Sequence, residues 1–132
     1  MTVREARIEF VKDVIKLLQF CEEKIEEGYI DYFLIGEVWR RQITQDWLLK
    51  KGWTKAKHSN HQDFRAIDLL FFKNGKQVKN TQEKLPDGRW KAAAEVEEIG
   101  KFWESLSPYN RWGGHYRSFC DIAHHERLLY KR

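Results

Sequence analysis

The chain has 132 residues, of which 42% are hydrophobic and 33% charged, and its formal net charge is +4. This is the length of one domain with the balance of an ordinary globular protein, which excludes a disordered or fibrous chain. The positive excess suits an anionic wall or membrane surface. No Lys/Arg block is long enough for a nucleic-acid arm, and no stretch approaches the ~20 apolar residues of a membrane span.

Residues 3 to 27 are predicted as a long amphipathic helix. Ile8, Val11, Ile15, Leu18, Cys21 and Ile25 form its apolar stripe, and Gly28 is its stop. Arg4, Glu5 and Arg7 leave no apolar signal-peptide region, so synthesis in the cytoplasm is expected. Tyr29 to Val38 reads as a strand interrupted by Gly36, and Arg41 to Lys51 as a second helix stopped by Gly52. Thr54 to Arg65 is polar and reads as loop. Ala66 to Phe72 reads as a buried strand, turned back by the hairpin pair Asn74-Gly75.

After a loop holding Pro86-Asp87-Gly88, Arg89 to Leu106 is predicted as a third helix with Ala93, Val96 and Ile99 on its inner face. Trp112-Gly113-Gly114 precedes an extended segment within Phe119 to Leu129. There are no repeats or linkers. The reading is one α+β domain over 1–132, a small, mostly antiparallel sheet flanked by helices, with no separate cell-wall-binding domain. Two cysteines, Cys21 and Cys120, make no disulfide framework, and without a C-x-x-C pair thiolate zinc sites are not expected.

The chemistry gathers late in the chain. All five histidines follow residue 57, and two polar clusters, Ser59 to Asp68 and Asp121 to Glu126, resemble a metal site. Zinc ligand atoms lie ~2.0–2.2 Å from the ion, so neither a straight helix nor an extended strand can bring residues 61 and 68 to one metal. The chain must turn between them, with His61 on a loop and Asp68 on the strand; His124 then adds a distant third ligand. Two histidines, one carboxylate and a water make an open, catalytic type of site.

Asp68 sits in an otherwise apolar strand, which is costly unless it is paired or on a metal; a salt bridge to Arg40 or Arg65 is the competing explanation. Asp121 is the candidate proton shuttle for the attacking water, with Glu126 as the alternative. His58 and His125, each beside a better-placed neighbour, are read as ordinary surface or hydrogen-bonded residues.

At these residues the pattern resembles the zinc D-alanyl-D-alanine carboxypeptidase and L-alanyl-D-glutamate endopeptidase family, which includes phage endolysins. That family carries S-x-H-x-x-G-x-A-x-D and, far downstream, D/E-x-x-H. Ser59, His61, Ala66 and Asp68 match the first motif, and Asp121 with His124 the second. Trp112-Gly113-Gly114 looks like the W-G-G element of endolysin-type members, and Arg40 with Gln45 like the family's Arg and Gln at a helix start.

The resemblance implies a hedgehog and D-Ala-D-Ala-peptidase-like fold. It implies Zn2+ on His61, Asp68 and His124, Asp121 as general base, and Arg40 on the scissile carbonyl or a substrate carboxylate. Gln45, Ser59 and Trp112 become candidate substrate-binding residues, although Ser59 could instead fix its loop, and packing explains Trp112 equally well. Phe64 stands in the usual Gly slot, which implies a differently shaped turn beside His61. His115 and His125 also depart from the pattern.

The expected activity is hydrolysis of peptidoglycan stem peptides, with the L-Ala–D-Glu bond preferred and a D-Ala-D-Ala carboxypeptidase as alternative. The expected protein is a monomer without nucleic-acid partners or stable membrane insertion, acting on the wall after holin-type release. A non-catalytic, zinc-stabilised wall-binding module is the reading from another class, and a metal-dependent nuclease is weaker still.

Overall fold

The computed structural model describes residues 1–54 and 56–132. Helix α1 spans Val3–Glu26. It opens with a capping box in which Thr2 and Glu5 satisfy each other's backbone N–H groups, and it stops where Gly28 turns to φ +84°.

The buried face of α1 matches the predicted stripe only in its second half, where Cys21 is buried and Leu18 and Ile25 pack against the core. Ile8, Val11 and Ile15 are 49%, 57% and 55% exposed, whereas Ala6, Phe10, Asp13, Leu17, Cys21 and Lys24 face inward. The inward stripe keeps helical spacing, but two of its members are charged. Asp13 is satisfied by Arg127 (3.1 Å) and by the Asn110 amide (3.0 Å); Lys24 reaches Glu27 (2.8 Å) and Glu98 (2.5 Å). Paired charges on the core face disguise it in the hydrophobicity pattern. Cys21 is a buried hydrophobe, its thiol pushed up to about 12 by desolvation.

All strand pairings are antiparallel. Strand β1 (Tyr32–Ile35) pairs with β2 (Ala66–Lys73), which pairs on its other edge with β5 (His124–Arg127); β5 in turn pairs with β4 (Asn110–Trp112). The short strand β3 (Lys76–Gln77) folds back on β2 through Asn74 and Gly75. Their φ angles of +53° and +74° are those of the expected two-residue hairpin turn. Helix α2 spans Gln42–Lys50 and ends at Gly52.

The third helix is shorter than predicted: α3 covers Glu97–Ser105. Upstream the backbone bonds outward, Trp90 N–H to Tyr116 O (2.9 Å) and Lys91 N–H to Glu83 O (2.9 Å), so this stretch is extended. The apolar spacing of Ala93, Val96 and Ile99 does report burial, but a turn serves the first two. Strand β4 was not expected; three residues are too few to show periodicity. The core lies between the sheet and helices α1 and α3, where Trp103 meets Phe10 edge-on at 5.8 Å.

Candidate metal centre

His61 sits on a 3-10 turn, Asn60–Asp63. Ser59 caps this turn: its Oγ accepts the His61 N–H (3.2 Å) while its own N–H donates to Gln62 Oε1 (2.9 Å). The Ser-x-His spacing is therefore a capping requirement. Phe64 closes the turn at φ +58°, ψ +38°. This left-handed geometry is one that glycine adopts freely, and a phenylalanine holds it at a backbone cost of roughly 1–2 kcal/mol. Asn60 and Arg65 tie the turn to β5: Asn60 Nδ2 donates to Glu126 (3.0 Å), and Arg65 to Asn60 Oδ1 (3.0 Å) and the Arg127 carbonyl (2.6 Å).

Asp68 of β2 and His124 of β5 are directly opposite in the strand register. Cross-strand partners on one face stand side by side, so pairing alone brings these two together, and the capped turn adds His61. One ligand atom from each of the three lies within 4.8 Å of the others. His61 Nε2 and His124 Nδ1 are each 3.3 Å from Asp68 Oδ1. A tetrahedral site with bonds of ~2.1 Å has edges of ~3.4 Å, so two edges already have the dimension zinc requires.

The opposite ring nitrogens agree. His61 Nδ1 faces the Val38 carbonyl (3.2 Å), which can only accept, so Nδ1 is engaged as a donor and Nε2 is the ring nitrogen left facing the cluster. His124 Nε2 meets Glu126 Oε1 (2.8 Å), leaving Nδ1 for the cluster. Carbonyl and carboxylate partners of this kind orient metal-binding imidazoles. The donor set fits zinc.

Burial alone would raise the Asp68 carboxyl, but hydrogen bonds from His124 and His61 outweigh it and hold it well below the usual carboxylate range. Burial would lower His124, yet Asp68 and Glu126 on either side push it up to about 10. Glu126 is also buried, but His124 and Arg111 bring it down to about 2. Its second oxygen takes Arg111 Nε (2.5 Å) and the Tyr116 hydroxyl (3.2 Å). Neither arginine named as a competing partner meets Asp68: Arg65 pairs with Asp63 (3.1 Å) and Arg40 with Glu37.

Asp121 begins the turn that delivers His124, its carbonyl accepting the His124 N–H (3.2 Å) and its own N–H bonding Gly113 O (2.9 Å). Burial, with the nearby Asp68 charge, raises its carboxyl although His124 opposes the shift. It lines a groove of about 380 Å³ with Leu69, Phe71, Gln77, Lys79 and Asn80. The W-G-G element has a steric origin: a side chain on Gly113 would strike the Asp121 backbone, and one on Gly114 the Trp112 ring.

The remaining predicted residues are placed around this centre rather than in it. Trp112 is buried, its indole N–H on the Ile122 carbonyl (2.9 Å) within the Asp121–His124 turn. Gln45 is fully buried, accepting from Arg40 Nη1 (2.8 Å) and donating to the Ala56 carbonyl (2.6 Å). Arg40, mostly buried and bonded through Nε to Glu37 (2.5 Å), follows Val38 by two residues.

His125 points into the core among Phe71, Trp103 and Trp112, where burial lowers it to about 4. His58 pairs with Asp63 (3.0 Å), and His115 lies between the Trp90 carbonyl (2.7 Å) and Glu97 (3.3 Å). The support given by Glu126, Asn60 and the Val38 carbonyl was not read from sequence. For Glu126 a signal existed, because residues two apart on a strand share a face.

An antiparallel sheet here presents a His-Asp-His cluster on a capped turn and two paired strands, the donor set of an open metal site in an α+β protein. The family model described as D-alanyl-D-alanine carboxypeptidase matches residues 53–127, more than half of the sequence, and the chain belongs to that family of zinc-dependent peptidases. No curated protein matches it. Among solved structures, the L-Ala D-Glu endopeptidase ChiX of Serratia marcescens shares the fold. The TM-score is 0.57 at 16% identity, over 86% of this chain and 79% of that one. No described helix is long and apolar enough to cross a membrane.

Proposed function

We propose that this chain is a monomeric zinc metallopeptidase that hydrolyses peptidoglycan stem peptides, with the L-Ala–D-Glu bond as its target. The observation that carries the reading is the cluster of His61 Nε2, Asp68 Oδ1 and His124 Nδ1, with both distal ring nitrogens already held. When bound, zinc supplies Lewis acidity to a carbonyl oxygen and makes water a better nucleophile at neutral pH.

The chain's own residues do the rest. Asp121 takes a proton from the attacking water on a carboxylate oxygen and returns it to the leaving amine nitrogen. Its raised affinity for a proton suits both halves of that task. Arg40 stands as the cation beside the scissile carbonyl, because a guanidinium stays charged and its fork matches an oxyanion. Gln45 positions Arg40 rather than touching substrate, since both ends of its buried amide are engaged. Ser59 holds the His61 turn, and Trp112 holds the Asp121–His124 turn through the Ile122 carbonyl.

The family's description favours a second reading, cleavage of D-Ala–D-Ala. A carboxypeptidase must bind a free terminal carboxylate. The structure that shares this fold is described as an L-Ala D-Glu endopeptidase, which supports the endopeptidase instead. The protein then acts on the bacterial wall after release from the cytoplasm. Mass spectrometry of purified peptidoglycan digested by the zinc-loaded protein tests this, and fragments with a new free amino group on D-Glu are expected. Release of D-Ala alone would make it a carboxypeptidase; binding without any fragment would make it a wall-binding module.

A further inference from the structure

The rings of Trp39 and Phe64 stack with centroids 5.8 Å apart and planes 15° apart, and each residue is 48% exposed. Neither is needed by the core. Phe64 in addition occupies a left-handed position that glycine would fill without strain, so its ring is not there for the backbone. From α1, Arg7 pins the pair: its guanidinium lies 5.8 Å from the Phe64 centroid, and its Nε donates to the Asp63 carbonyl (2.6 Å).

The location connects this surface to the metal cluster. Trp39 stands between Val38, whose carbonyl holds His61, and Arg40. Phe64 donates its N–H to the His61 carbonyl (3.3 Å) and closes the turn that presents His61. The rings are thus carried by the same two segments that hold His61.

Exposed aromatic faces bind the C–H faces of pyranose rings, which are apolar although the ring edges carry hydroxyls. We infer that the exposed side of Trp39, backed by Phe64, forms a sugar subsite that takes the N-acylated hexosamine to which the stem peptide is joined. This rests on the endopeptidase reading. The lactyl ether of the muramoyl sugar carries L-Ala directly, so the sugar neighbours the L-Ala–D-Glu bond and lies at the opposite end of the stem from D-Ala–D-Ala. The subsite therefore favours substrate still attached to glycan and sets which bond reaches the cluster.

The test is titration of the zinc-loaded full chain with the peptide-free disaccharide N-acetylglucosaminyl-N-acetylmuramic acid, followed by NMR of the tryptophan indole N–H signals. Saturable movement of the Trp39 signal is expected. Affinity should fall about tenfold, or about 1.4 kcal/mol, in Trp39→Ala and similarly in Phe64→Gly, which the positive φ accommodates. Trp53→Ala, which removes an exposed ring packed against Trp47 instead, should bind as wild type. Absence of saturable binding, unchanged affinity in the first two variants, or equal loss in Trp53→Ala overturns the subsite. Disaccharide binding at Trp39 in a protein that cuts no stem peptide supports the subsite and sinks the peptidase reading alone; cleavage without sugar binding does the reverse.

Discussion

Glu126→Gln removes one negative charge from behind His124 while keeping the shape of the side chain. Oε1 of Glu126 accepts from His124 Nε2 at 2.8 Å and from Asn60 at 3.0 Å, and Oε2 accepts from Arg111 and Tyr116. With glutamine the imidazole loses a charged acceptor, Nδ1 becomes less basic, and the ring is less firmly turned toward Asp68. A hydrogen bond to a charged group is worth about 1.5–3 kcal/mol, and outer-shell partners of this kind typically change metal affinity by about 10–100-fold. The two scales agree. Competition with a chromophoric chelator should show zinc affinity reduced by about 10–100-fold in Glu126→Gln, with the circular dichroism of the folded chain kept. Zinc affinity within about twofold of wild type, which is under 0.5 kcal/mol, would refute the assignment of Glu126 as the residue that orients His124.

Three further outcomes are expected. Asp121→Asn should keep its zinc content and lose about 10²–10⁴-fold in turnover of peptidoglycan; full turnover would remove Asp121 as the base. Phe64→Gly should melt above Phe64→Ala by a margin worth about 1 kcal/mol, because both lose the Trp39 stack but only glycine relieves the positive φ, and thermal denaturation reads the order directly. Asp13→Ala leaves Arg127 without its buried carboxylate and should cost about 3–5 kcal/mol in urea unfolding; a loss under 1 kcal/mol, small beside that range, would mean that the pair does not hold α1 to β5.

The parts of the structure legible in the sequence are those fixed by local chemistry. The α1 boundaries follow from Thr2, Glu5 and Gly28, and the β2–β3 hairpin from Asn74-Gly75. The cluster was legible because an Asp in an apolar strand needs a partner, and because Ser59, His61, Asp68, Asp121 and His124 match the motifs of the family the sequence resembles. What escaped depends on distant contacts. The inner face of α1 carries Asp13 and Lys24, whose partners are far away in sequence. Trp90 and Lys91 stay out of the helix because Tyr116 and Glu83 take their backbone N–H groups, and a turn at 94–96 precedes α3. Trp112, read as a cleft or packing residue, lies in the core because Gly100 and Gly114 leave room for its ring. The part Glu126 plays behind His124 follows from two residues of one strand sharing a face, but a four-residue strand is too short to announce itself by periodicity.

The most direct test of the metal centre is zinc stoichiometry by plasma mass spectrometry on wild type and on His61→Ala, Asp68→Ala and His124→Ala, each checked for fold. One zinc per wild-type chain is expected, with loss of tightly bound zinc in every variant. Full zinc retention in all three folded variants would contradict the account.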